Sequence, residues 1–113
     1  MKILHLTLKA EYFDMILSGD KKEEYREIKP YWIKRLTDGW LTSENAHLLH
    51  AKRMDVKEFD VIRFKNGYSK GARVMTVKWE GLRLGEPVKE WSGGFEGEVF
   101  IISIGEVVDK EGC

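Results

Sequence analysis

The sequence has one cysteine, Cys113, in 113 residues. A lone cysteine forms neither an internal disulfide nor a multi-cysteine zinc site. At the chain end it is also a poor candidate for a positioned nucleophile. Net charge is lacking too: 19 basic residues stand against 19 acidic ones. That excludes a strongly basic nucleic-acid binder, although not a local basic patch. No apolar run approaches the roughly 20 residues of a membrane span, so no membrane partner is expected. No internal repeat or low-complexity tract is present. The pair Gly93-Gly94 lacks the strand-to-helix context of a phosphate-binding loop. There is no nucleophile-elbow pattern, and His5 sits inside an apolar alternation, so Ser/His catalysis has no local support.

What is present suits one globular domain over residues 1–113: 42% hydrophobic, 34% charged, with four Trp, five Phe and four Tyr for a compact core. The opening Met1-Lys2-Ile3-Leu4-His5-Leu6-Thr7 breaks its apolar residues with His and Thr. It reads as a strand rather than a signal peptide, and a cytoplasmic protein is the expectation. Charge is uneven along the chain. Residues 47–74 carry seven basic against three acidic residues, a net +4, and residues 81–113 carry three against seven, a net −4. Such asymmetry steers an anionic ligand to one face, or is neutralised if the two segments lie side by side.

Leu4, Leu6 and Leu8 alternate with Ile3, His5 and Thr7, which predicts a first strand. Phe13, Ile16 and Leu17 form one stripe of a short helix over 10–18, and Gly19 follows where a left-handed helix end favours glycine. Residues 22–28 read as a strand before Pro30, which suits the first turn of a helix from Pro30 to about Leu36. A continuous charged helix over 10–28 is the alternative. In the stretch 38–58, Ser43 could cap a helix over 44–52, and an ordered loop is the other reading. Strands are predicted for Phe59 to Phe64, with Phe59, Val61 and Arg63 on one face, for Arg73 to about Arg83, and for Val99 to Val108. The turn Asn66-Gly67-Tyr68 joins the first two. Short helices and late strands point to an α+β fold, a small mixed β-barrel with flanking short helices.

The chemistry concentrates in Gly19-Asp20-Lys21-Lys22-Glu23-Glu24-Tyr25-Arg26. In a strand, Glu24 and Arg26 project to one face. A carboxylate, a guanidinium fork and the Lys21 ammonium converging there would bind a polar anionic or base-like ligand. The plain alternative is a solvated strand carrying weak ion pairs. At the predicted hairpin tip, Tyr68 is flanked by Lys65 and Lys70, the pairing of an aromatic face with cations that single-stranded nucleic acid uses. Tyr25, Tyr31, Trp32 and Trp79 are aromatics near the motif or in the hairpin, and core packing is the commoner role for each. His47 and His50 fall on one face of any helix there, but two histidines without a third ligand make a weak metal case. Neither a metal nor a cofactor is expected.

Gly19, Lys21, Glu24 and Arg26 reproduce the G-x-K-x-x-E-x-R signature of the ASCH domain, and this chain resembles that family (activating signal cointegrator homology). The context agrees: a first strand from Ile3 to Leu8, a short helix ending Met15-Ile16-Leu17-Ser18-Gly19, then the motif. Phe59 to Phe64 and Val99 to Ile104 resemble later strands of the family, while 38–58 and 85–97 stay unaligned. The resemblance implies a PUA-like β-barrel, a cleft lined by the motif residues, and an RNA or nucleotide-like partner. One bacterial branch of the family resembles small amidohydrolases that deacetylate acetylated cytidine, with the motif Lys catalytic and a Thr where this chain has Glu24. On that reading Lys21 and Glu24 are the catalytic candidates. No residue of 85–97 matches that branch's second catalytic carboxylate. Three functions therefore stand side by side: RNA or nucleotide binding, the lead; a hydrolase of a modified nucleoside; and a protein-interaction module. A monomer is expected.

Overall fold

The computed structural model describes residues 1–37 and 56–113. The helix expected over 44–52 and the pair His47 and His50 lie outside these residues. The described chain is a small mixed α+β fold. Strands β1 (Ile3–Leu8), β2 (Glu23–Arg26), β3 (Val61–Asn66), β4 (Val74–Gly85) and β5 (Val99–Glu111) accompany helices α1 (Ala10–Leu17) and α2 (Pro30–Leu36). A single 3₁₀ turn occupies Lys89–Trp91. The strands form one sheet in the order β1-β3-β4-β5-β2.

The expected barrel does not form: among the described residues the sheet is open, with β1 and β2 as its terminal strands. Closure needs a ladder between the terminal strands, and strand number alone does not supply one. Here β2 has four residues, whereas the neighbours β4 and β5 have twelve and thirteen.

Two compact units are distinguished: Met1–Glu23, Phe59–Glu80 and Ser103–Cys113 in the first, Glu24–Glu58 and Gly81–Ile102 in the second. In the first unit, β1 buries Leu4, Leu6 and Leu8 and turns Ile3 and His5 outward, as its alternation dictates. It pairs in parallel with β3, Ile3 opposite Val61 through Leu8 opposite Asn66. A parallel pair requires a crossover, which α1 begins. That helix packs against β3 and buries Phe13 and Ile16. Its last turn closes through Ser18, whose N–H donates to the Asp14 carbonyl, and Gly19 follows at φ +88°. This ends the possibility of one helix over 10–28.

Strand β3 starts at Val61, two residues later than expected, because the Asp60 N–H and carboxylate are engaged with the Lys2 carbonyl (2.9 Å) and N–H (2.6 Å). Val61 and Ile62 are both buried although they point to opposite faces. Both faces of the sheet are covered at this point, so a simple alternation fails there. The hairpin to β4 is antiparallel, with Val61 opposite Lys78 and Lys65 opposite Val74. Arg73 braces it. Its guanidinium donates to Asp14 (2.7 Å) and to Asn66 (3.2 Å) and lies 4.6 Å over the Phe13 ring.

In the second unit, Tyr25, Val99 and Ile101 form a buried cluster, with Trp91 and Phe95 packed on it. The Tyr25 hydroxyl accepts from the Val88 N–H at 2.9 Å, so the ring is fixed at both ends. Ile33 and Leu36 of α2 are buried as well. Pro30 stands in the first turn, where its missing N–H costs nothing. The Lys57 N–H and ammonium donate to the Leu36 and Lys34 carbonyls at the other end of α2.

Candidate ligand-binding segment

The motif begins where α1 stops. After the left-handed Gly19, the Lys21 N–H donates to the Met15 carbonyl (2.9 Å) and returns the chain over the helix end. Lys21 is 2% exposed, and its ammonium lies 4.4 Å from the centre of the Tyr12 ring. The helix-end reversal folds this lysine inward.

Glu24 and Arg26 share a face of β2, as their i, i+2 spacing requires, and Tyr25 points the other way into its cluster. Glu24 is 4% exposed. One of its oxygens accepts from the Tyr25 N–H (3.0 Å) and the other lies 3.2 Å from Arg26 Nη1. The same Nη1 donates to the Tyr25 carbonyl at 2.7 Å. The guanidinium also lies 5.1 Å over the Trp32 ring of α2. The carboxylate thus meets a backbone N–H and a guanidinium, and the guanidinium meets an anion, a carbonyl and a ring. Lys21 and Glu24 are the only charged residues among the buried described residues. The solvated charged strand offered as the plain reading is therefore not what forms.

The other expected contacts lie on the β3–β4 hairpin of the first unit. Tyr68 is 88% exposed, with Lys70 also exposed and Lys65 half-buried. The structure thus brings Glu24 and Arg26 together within the second unit. It places Lys21, Lys65, Tyr68 and Lys70 in the first. A cleft of about 410 Å³ in the second unit is lined by residues including Glu27, Lys29, Phe95, Glu96 and Glu98, none of them a motif residue. Among the described residues no group of three or more His, Cys, Asp or Glu is arranged to hold a metal ion. No helix among them is long and apolar enough to cross a membrane.

Sequence reading missed Tyr12 as the partner of Lys21. The only signal is that Tyr12 falls off the Phe13, Ile16 and Leu17 stripe, and nothing in the spacing brings Lys21 back to it. Trp32 was noticed only as an aromatic near the motif, whereas it takes the guanidinium of Arg35 at 5.1 Å as well as that of Arg26. On β4 and β5 the Lys78 ammonium and Glu106 carboxylate lie 2.7 Å apart. Their hydrogen bond raises Lys78 above the ordinary lysine range and lowers Glu106 below the ordinary carboxylate range.

No family model matches the chain, nor does any curated protein or solved structure.

Proposed function

We propose that the Gly19–Arg26 segment binds RNA or a nucleotide-like ligand, as its resemblance to the ASCH motif implies. The observation that carries this reading is the burial of Lys21 and Glu24. Withdrawing an ion from water costs several kcal/mol, by order of magnitude, and apolar residues of similar volume would stabilise a fold as well or better. Charges placed so against stability suit a ligand. Arg26 offers planar donors for a phosphate or base acceptor, Glu24 an acceptor for a base amino group, and Lys21 a cation screened from water. On the hairpin of the first unit, Tyr68, Lys65 and Lys70 offer an exposed ring and cations of their own to single-stranded nucleic acid. The PUA-like classification belongs to this proposal, as do a monomeric state and a cytoplasmic location.

A second reading, hydrolysis of an acylated nucleoside, is favoured by one observation: a lysine 2% exposed. A protein-interaction module remains the outcome if the segment binds no nucleotide at all. Two Lys21 variants separate these readings. Lys21→Met keeps the volume and removes the charge; Lys21→Arg keeps the charge but cannot act as a base. With binding as the function, Lys21→Arg retains affinity for a short oligoribonucleotide and Lys21→Met loses it. Turnover of N4-acetylcytidine by the wild type, abolished in both variants while substrate still binds, would replace the binding reading with the hydrolase.

A further inference from the structure

We propose that α2 carries a stacking surface for an unpaired nucleobase, with Tyr31 as the platform and the surrounding cations as phosphate contacts. The inference rests on the reading of Arg26 as part of a nucleic-acid-binding segment and extends it along the second unit. Tyr31 and Arg35 are four apart and share a face of the helix. The Arg35 guanidinium lies 5.6 Å over the Tyr31 ring and 5.1 Å over Trp32, and its Nη1 donates to the Tyr31 hydroxyl at 3.3 Å. Trp32 meets Tyr31 edge to face at 4.8 Å and lies 5.1 Å under the Arg26 guanidinium. Arg26, Trp32, Arg35 and Tyr31 thus form a continuous chain of stacked groups leading from the motif to the surface.

That chain ends in water. Tyr31 is 62% exposed although three contacts limit its rotation. A ring already held in place loses little further freedom on stacking, which lowers the cost of binding. The first turn of α2 has no acidic residue and its last turn has Lys34 and Arg35. The Lys57 ammonium, seated on the Lys34 carbonyl, adds a third cation at that end. Charge complementarity selects a polyanion, and the exposed ring selects one that carries flat π-faces. Single-stranded nucleic acid has both, whereas a duplex keeps its bases stacked on one another.

The test is fluorescence anisotropy with a labelled single-stranded oligoribonucleotide of about eight nucleotides, against an abasic oligomer and a duplex of the same length. Stacking of one base predicts that the base-bearing strand binds roughly 5- to 150-fold more tightly than the abasic one. Tyr31→Leu should narrow that difference by the share of one stacked base and Tyr31→Phe should keep it, both melting like the wild type. Equal affinity for base-bearing and abasic strands overturns the proposal, as does wild-type affinity in Tyr31→Leu or a duplex bound as tightly. If a Glu24→Leu/Arg26→Met double variant loses binding while Tyr31→Leu keeps it, the nucleic-acid reading stands and the stacking surface falls. If the wild type binds no oligoribonucleotide, both fall.

Discussion

Removing Arg26 alone should be far more damaging than removing Arg26 and Glu24 together. Their side chains are 14% and 6% exposed, and the charged atoms lie 3.2 Å apart. Arg26→Met leaves the Glu24 carboxylate buried and takes away the guanidinium beside it. Breaking a buried pair from one side costs about 3–5 kcal/mol, and the partial exposure of Arg26 puts this case near about 3. Entropy of unfolding scales with chain length, so each kcal/mol moves the Tm of a chain this size by about 4 °C. The expected fall is about 10–15 °C by differential scanning calorimetry. Glu24→Leu/Arg26→Met removes both charges and fills the space with apolar atoms. Such replacements range from neutral to about 1–4 kcal/mol stabilising, so its Tm should match or exceed the wild type. Neither melt should show a new transition. A double variant as unstable as Arg26→Met would refute the reasoning, because the pair would then be a support of the fold rather than a charge arrangement held for a ligand.

A Cβ added at Gly105 would lie 2.9 Å from Lys78 Cβ, which is too close to the β4 backbone to swing away. Gly105→Ala should therefore destabilise by about 1–3 kcal/mol, read as a lower midpoint in urea with an unchanged slope. The Lys78–Glu106 pair should give a shallow pH dependence. Glu106 is lowered in the fold, so its contribution is present above the ordinary carboxylate range and fades as pH falls through about 4 and below. Lys78 is raised, so its contribution fades only as pH climbs past about 10. Both groups face water. Glu106→Gln should therefore flatten the acid limb of the melting profile at low salt and change nothing at high salt. An acid limb unchanged by Glu106→Gln would contradict this.

The elements were legible wherever period and punctuation agreed. Leu4, Leu6 and Leu8 marked β1, the Phe13–Ile16 stripe with Gly19 marked α1, and Pro30 marked the start of α2. Strand ends shifted where side chains capped the backbone, as Asp60 does at the start of β3. The open sheet was not legible, because alternation identifies a strand but not which strands end the sheet. For the motif, spacing gave the shared face of Glu24 and Arg26, a purely local property of a strand. The burial of Lys21 and its Tyr12 partner was not legible, since it depends on how the chain reverses over the end of α1. Nor does spacing distinguish Tyr25, fully buried, from Tyr31, largely exposed. That difference follows from the apolar cluster Tyr25 joins and from the helix face Tyr31 occupies.

The most direct test of the central claim, that the Gly19–Arg26 segment binds RNA or a nucleotide-like ligand, is a titration of a short single-stranded oligoribonucleotide at two salt concentrations. It compares the wild type with Lys21→Met and with the Glu24→Leu/Arg26→Met double variant. The chain has no net charge, so few phosphates should be neutralised and affinity should be weak. It should fall with salt at a slope of about 0.7 per phosphate neutralised, a shallow total. Both variants should lose binding while keeping a cooperative melt. A wild type that binds no oligoribonucleotide at low salt, or variants that bind as the wild type does, would contradict the claim.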